Sequence, residues 1–295
     1  MTVVQGLSLE VPAGEITALL GANGAGKSST ILCIAGHVAV MGGRIIYKEK
    51  DITNATPMER VADGIAVVPE GRRLFPNLTV EENLIVGGYS QPRDFTREGI
   101  ERVLALFPRL RERLGQLAGS LSGGEQQMLS ISRAMMSRPQ LLLVDELSLG
   151  LMPKIIDICY EAISELKSKG LTILLIEQST QRALEVADHV CVLESGKTVW
   201  KDTAEKARDN ADLIDALLGL PSSGVYAFVT SKTGETLWQS SSVLGAKPPP
   251  PVTLGRGEKR LSKTSVGSVD YFMLAYGVNW ATNTVGEADA LALTF

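Results

Sequence analysis

The eight residues Gly21–Ser28, GANGAGKS, constrain this chain more than any other stretch. They satisfy G-x-x-x-x-G-K-[ST] at every fixed position, after the apolar run Ile16 to Leu20 and before a helical pattern from Lys27 to Gly36. Glycines at this density let the backbone curl until successive N–H groups face one point, and a helix opening at Lys27 adds the positive end of its dipole. A concavity of that kind suits a phosphate. The expected nucleotide-binding residues are therefore Gly21, Asn23, Gly24, Gly26, Lys27, Ser28 and Ser29. Lys27 would place its charge between the β- and γ-phosphates of a nucleoside triphosphate, and the Ser28 hydroxyl would ligate Mg²⁺. A ligand-free strand-to-helix turn explains the glycines but not the lysine–serine pair.

The rest of the first 220 residues agrees with such a loop. Strand-like runs at 16–20, 44–47, 65–68, 141–144, 171–176 and 189–193 alternate with helical patterns near 27–36, 154–169 and 179–187. Alternation of this kind predicts a mostly parallel sheet covered on both faces. Residues 77–135 read as mostly helical, with the 101–117 pattern broken at Pro108, and are expected to form an inserted subdomain. After Leu220 the style changes. Pro221-Ser222-Ser223-Gly224 reads as a turn, and strand-like runs follow at 225–229, 235–239 and 270–280 around the four-proline run 248–251. Eight of the fifteen aromatic residues fall in these last 75 positions. Two segments are expected, 1–220 and 221–295.

Composition narrows the function classes. The longest apolar runs, such as Leu171 to Ile176, fall far below the ~18 residues a membrane span needs. The first residues lack the basic start and apolar stretch of a signal peptide. A net charge of −4 speaks against general nucleic-acid affinity, so no nucleic-acid partner is expected. Cys33, Cys159 and Cys191 are scattered without metal spacing, which fits a reducing compartment. His37 and His189, the only histidines, are read as structural.

Two further stretches complete the chemistry. Leu141 to Glu146, LLLVDE, is a buried-strand pattern ending in two carboxylates. Asp145 is suited to hold Mg²⁺ through water, and Glu146 to orient and deprotonate a water that attacks the γ-phosphate. Leu121, Ser122, Gly123, Gly124 and Glu125 open a helix with a capping box, Ser122-x-x-Glu125. Capping alone does not call for two glycines in a first turn, where they weaken the helix. They suit a second anion site, at which bare N–H groups approach a phosphate.

This combination resembles the ATP-binding-cassette (ABC) ATPases, in which signature residues of one subunit close on the γ-phosphate held by another. The stretches Val68 to Phe75 (VPEGRRLF), Leu78 to Leu84, Phe107 to Arg113, Leu147 to Leu151 and Ile176-Glu177-Gln178 are similar to the LivF type, from branched-chain amino-acid importers. The resemblance covers about residues 1–220 and implies a P-loop NTPase (RecA-like) α/β core with an inserted α-helical ABC subdomain, followed here by a small β-rich tail. It places Glu70 at the glutamine-loop position, near Mg²⁺, and Gln178 at the switch position beside the γ-phosphate. It implies ATP and Mg²⁺ as cofactors and a second ABC subunit as partner, with inner-membrane permease subunits and, indirectly, a periplasmic substrate-binding protein. The expected place is the cytoplasmic face of the inner membrane, peripherally bound. Urea-importer ATPases are similar enough to keep the substrate open. A non-transport ABC ATPase fits less well, because the interval from Lys27 to Ser122 leaves no room for a long coiled coil and only one cassette is present.

Relatives of this kind carry a front strand with an aromatic that stacks on adenine. Read this way, the chain begins at Met1 after that segment, so an unpaired sheet edge is expected, and ATP binding more than efficient turnover. Leu147 stands where a proline is usual, and Met152 where a small residue is usual, so the loop after Glu146 is expected to sit differently. In the tail, Val225 to Phe228, Gly234 to Ser240 and Asp270 to Trp280 resemble part of a PhoQ-type periplasmic sensor domain. A fused or truncated product with a ligand-sensing tail and weak ATPase activity is the alternative reading.

Overall fold

A computed structural model describes residues 4–92, 94–177 and 180–209, and beyond them the strand segments 226–230, 236–239, 259–266, 269–278 and 289–294. Two compact units divide the chain, one of Met1–Gly21 and Ala25–Asp209 and one of Asn210–Phe295 grouped with Ala22–Gly24.

The first unit is built on a six-stranded sheet. Its elements in chain order are β1 (Ile16–Leu20), α1 (Lys27–Ile34), a short hairpin of β2 (Ile46–Tyr47) and β3 (Lys50–Asp51), α2 (Pro57–Ala62), β4 (Ile65–Val68), α3 (Val80–Gly87), α4 (Asp94–Leu106), α5 (Gly123–Met135), β5 (Leu141–Asp145), α6 (Pro153–Ser168), β6 (Thr172–Ile176), α7 (Thr180–Val186), β7 (His189–Glu194), β8 (Lys197–Thr203) and α8 (Ala204–Asp209). The sheet order is β4-β5-β6-β1-β7-β8. Every pairing is parallel except β7 with β8. Strands β1 and β5 are buried along their whole length, as continuous apolar runs covered on both faces require. Leu19, Ile31, Leu143, Leu174, Ile176 and Leu193 join in one core, each fully buried side chain stabilising by about 1.5–3 kcal/mol.

Helices α3, α4 and α5 form the inserted helical part. Helix α4 stops before Pro108, whose ring cannot continue the helix, and the chain turns through a short 3₁₀ segment, Pro108–Arg113. Asn83 is fully buried and ties the loop before α3 to the helix: its Oδ1 accepts from the Phe75 amide at 3.0 Å, and its Nδ2 donates to the Phe75 carbonyl at 3.0 Å and the Thr79 carbonyl at 2.9 Å. Helix α5 packs on both α3 and β4, and so joins the helical part to the sheet.

Some expectations need adjusting. The strand read at 44–47 is shorter and pairs only within its own hairpin. Strand β8, which the apolar pattern did not single out, forms one sheet edge after a tight turn at Ser195 and Gly196. Residues Leu7, Leu9 and Val11 alternate onto the core without forming a ladder strand, and Gln5 donates its amide to the Gly196 carbonyl at 2.7 Å. No helix among the described residues is long and apolar enough to cross a membrane.

The second unit contains β9 (Tyr226–Thr230), β10 (Thr236–Gln239), β11 (Lys259–Val266), β12 (Val269–Val278) and β13 (Asp289–Thr294). They form an antiparallel sheet in the order β10-β9-β13-β12-β11. Strands β11 and β13 were not anticipated from the sequence. The junction expected at Leu220 lies outside the described residues.

Candidate nucleotide site

Parallel strands end at a common edge, so the loops that follow β1, β5 and β6 meet there, where open α/β sheets bind ligands. Gly21 follows β1 with φ 152, and a Cβ there would overlap the Leu193 carbonyl oxygen on β7. The sheet itself, as well as the ligand, therefore demands glycine at this position. Gly26 caps α1 in the left-handed region at φ 105, and Lys27 opens the helix. Lys27 is only 5% exposed, and its Nζ donates to the Gly21 carbonyl at 2.7 Å, closing the loop across its own mouth. Burial pushes the Lys27 ammonium down from its ordinary pKa, and Glu146 and Asp145 push it back up.

Ser28 donates its hydroxyl to Asp145 Oδ1 at 3.3 Å, which joins the helix after β1 to the tip of β5. Asp145 is 7% exposed. Burial raises its pKa; the Ser28 hydrogen bond and Lys27 oppose the rise, while the negative charges of Glu146 and Glu70 add to it. Sequence-distant Glu70 is thus close enough to act on Asp145, as is its neighbour Glu146, with Lys27 as the compensating charge. No group of three or more His, Cys, Asp or Glu that could cage a metal exists among the described residues. A hydroxyl and a carboxylate side by side nevertheless fit Mg²⁺, which keeps several waters and takes its remaining ligands from nucleotide phosphates.

Glu146 has φ 54, a left-handed backbone that costs a non-glycine residue about 1–3 kcal/mol and persists only when neighbours enforce it. Its amide donates to the Ile176 carbonyl at 3.0 Å. Leu147, standing where a proline was expected, is fully buried and anchors the turn in the core, while Met152 is 72% exposed. Ser148 then bonds to Glu177, its amide to Oε1 at 3.0 Å and its hydroxyl to Oε2 at 2.7 Å. Tyr160 lies against the same carboxylate; burial first, and Glu177 second, push its phenol upward. Gln178 lies outside the described residues.

The 121–125 segment adopts the anticipated capping box. The Glu125 amide donates to Ser122 Oγ at 3.3 Å, and Glu125 Oε2 accepts from the Ser122 amide at 2.9 Å and the Ser122 hydroxyl at 2.7 Å. These bonds, Ser122's hydroxyl first, hold the Glu125 carboxyl below the ordinary glutamate range, with help from Arg113 at 3.5 Å. The glycines have a second cause besides phosphate approach. A Cβ on Gly124 would sit 2.8 Å from Ile155 Cγ2, and one on Gly123 would sit 3.2 Å from the Arg72 guanidinium. Leu121 is buried beneath them.

The loop after Glu70 is held by α5. Arg72 and Arg73 are both left-handed, at φ 66 and 42. Arg133 donates to the Arg73 carbonyl at 2.7 Å and the Arg72 carbonyl at 3.2 Å, Ser130 donates to the Arg72 carbonyl at 3.1 Å, and Arg72 donates to Gln126 Oε1 at 3.1 Å. The segment carrying Glu70 and the helix carrying the glycine pair are therefore one mechanical piece.

Comparison with known proteins agrees with this geometry. The family described as "ABC transporter" matches residues 4–148. The high-affinity branched-chain amino acid transport ATP-binding protein BraG of Pseudomonas aeruginosa is 47% identical over 213 residues, 72% of this chain and 91% of that protein. The chain belongs to the ATP-binding proteins of ABC transporters. The probable branched-chain amino acid transport ATP-binding protein LivF of Archaeoglobus fulgidus is 36% identical over 72% of this chain and 90% of its own length. Among solved structures, an ATP-binding subunit of an ABC transporter superposes with a TM-score of 0.65 at 30% identity, covering 73% of this chain and 91% of its own. A nucleotide-free ATP-binding cassette does so with a TM-score of 0.65 at 27% identity, covering 72% and 91%. The α/β ABC fold and its ATP-binding domain are thereby shared with these proteins. Within the ABC domain, the Ser148–Glu177 pair and the Arg72–Arg133 latch were not singled out from sequence. Their partners lie 29 and 61 positions apart, and no local pattern reports such pairings.

Proposed function

We propose that this chain is the ATP-hydrolysing subunit of an ABC importer for branched-chain amino acids. The observation that carries the chemistry is Lys27 and Ser28 standing against Asp145 at one sheet edge. The substrate class rests on the 47% identity to BraG across 91% of that protein. Lys27 exchanges its Gly21 carbonyl for phosphate oxygens, and the amides of 21–28 and the α1 dipole bind the remaining charge. Ser28 and Asp145 would hold Mg²⁺, with Glu70 as the further carboxylate acting on Asp145, and the ion would supply charge neutralisation when bound. Glu146 orients water and takes its proton, with Gln178 as a neutral hydrogen-bonding partner of the γ-phosphate. A second ABC subunit presents its Ser122, Gly123 and Gly124 to the γ-phosphate. Closure of the pair drives inner-membrane permease subunits fed by a periplasmic binding protein, with the chain bound peripherally on the cytoplasmic face. Residues 1–220 form the ATPase in this reading. Residues 221–295 are a second segment with a ligand-sensing role of the PhoQ type in this reading, tested by ligand binding to the chain with and without them.

Trinitrophenyl-ATP binding and phosphate release test the site. Lys27→Ala should abolish nucleotide affinity, and unchanged affinity would remove the loop assignment. Glu146→Gln should bind normally and hydrolyse about two to four orders of magnitude more slowly. Leucine uptake into vesicles carrying the permease, competed with urea, tests the substrate. Uptake that responds to urea and not to leucine would replace the amino-acid assignment.

A further inference from the structure

Glu177 stands one residue beyond β6 and is 1% exposed. Ser148 bonds to each of its oxygens, at 3.0 and 2.7 Å, and the buried Tyr160 phenol lies against the same carboxylate. The β5–β6 register pairs Asp145 with Ile176, so the residues that follow each of them run side by side out of the sheet. Two ties hold the β5 exit to the β6 exit: the Glu146 amide bonds to the Ile176 carbonyl at 3.0 Å, and Ser148 is clamped by Glu177, with Leu147 between them fully buried. Glu146 itself sits in the left-handed region at φ 54, a backbone that relaxes unless both flanks are held.

We propose that Glu177 is a positioning residue for ATP hydrolysis: through Ser148 it fixes the left-handed turn that aims the Glu146 carboxylate. The proposal rests on the reading of Glu146 as the base. The carboxylate accepts the Ser148 amide on one oxygen and the Ser148 hydroxyl on the other. A glutamine keeps both contacts, because its NH₂ can donate to the same hydroxyl oxygen, whereas an apolar side chain of similar size removes both. Glu177 also directly precedes position 178, so the clamp joins the turn carrying the base to the chain segment leading into the switch position.

The test measures ATPase kcat and KM, trinitrophenyl-ATP affinity and Tm on the full chain. The variants are Glu177→Leu, Ser148→Ala and Ser148→Thr, with Glu146→Gln as reference. Small displacement of a catalytic group costs up to about a hundredfold, so Glu177→Leu, which removes both acceptors, should lower kcat roughly 10- to 100-fold with KM and affinity within about twofold. Ser148→Ala keeps its amide bond and should lose less, and Ser148→Thr, which restores a hydroxyl, should return kcat to within about threefold of the parent. If Glu177→Leu does not fold, the two Ser148 variants decide. Unchanged kcat in the Glu177 and Ser148 variants, beside a silenced Glu146→Gln, would overturn the clamp and leave the base intact. A Ser148→Thr as slow as Ser148→Ala, or kcat and affinity falling together with Tm, would reduce Glu177 to a core staple. Parent-rate hydrolysis by Glu146→Gln would remove the base, and the clamp's purpose with it.

Discussion

Replacing Gly124 by alanine sets two known effects against each other. Alanine is about 1 kcal/mol better than glycine inside a helix, and Gly124 is the second residue of α5. Its new Cβ would sit 2.8 Å from Ile155 Cγ2, 2.9 Å from Cγ1 and 3.1 Å from Cδ1. Ile155 is 9% exposed in the first turn of α6 and has little room to move. Forcing a methyl into packed space costs about 1–3 kcal/mol, so Gly124→Ala should destabilise by roughly 0–2 kcal/mol net. Ile155→Ala deletes all three offending atoms, and by itself costs about 2 kcal/mol or more. On the Ile155→Ala background, Gly124→Ala should then stabilise by about 1 kcal/mol, since only its helix preference remains. The sign reversal is a coupling of about 1–3 kcal/mol, measurable by urea unfolding followed by helical circular dichroism. Coupling below about 0.5 kcal/mol would refute packing as the reason for glycine. The same four proteins separate the two reasons: if bare amides must also approach a phosphate, the double variant regains stability without regaining ATPase activity.

Other outcomes follow from the same contacts. Arg60, 1% exposed, donates to the carbonyls of Cys33 at 2.6 Å, Ile34 at 2.8 Å, Thr53 at 2.9 Å and Ala55 at 3.0 Å. Arg60→Met removes the donor to the end of α1 and to the loop before α2, leaving the Cys33 carbonyl only its backbone partners, and should cost about 3 kcal/mol or more, with Arg60→Lys recovering part, read as Tm. The carboxyls of Glu59, Glu82 and Glu125 are held below their ordinary range by hydrogen bonds from Thr56, Thr79 and Ser122. Because their folded values are depressed, their contribution is present above the ordinary glutamate range and lost as pH falls through the lowered folded values. Acid unfolding of Glu82→Gln should therefore show a shallower acid limb than the parent, and an identical limb would contradict the capping account. Extracting Mg²⁺ with a chelator should stop phosphate release by the parent while leaving its Tm in the absence of nucleotide unchanged, because Ser28 and Asp145 already bond to each other.

Legibility followed the range of the interaction. The phosphate loop, the Ser122–Glu125 capping box and the parallel strands were readable because each is written in adjacent residues. Strand β8 was missed because its sequence, KTVWKDT, alternates polar and apolar weakly, and only pairing with β7 makes it a strand. Strands β11 and β13 of the second unit were missed for a related reason: each exists through its antiparallel partners. The burial of Leu147 was not legible in its residue type, since burial depends on what surrounds a residue.

The sequence by itself determined the chemistry: a lysine and a serine at the mouth of a glycine loop, an aspartate and a glutamate at a strand end, and a capped glycine pair. Those are local choices of residue type, and local backbone physics is enough to interpret them. Only the tertiary structure decided how they are held. It set Ser28 against Asp145, placed Ile155 under Gly124, and closed Ser148 onto Glu177. Each of these depends on which strands become neighbours, and that is settled by the burial of the whole core.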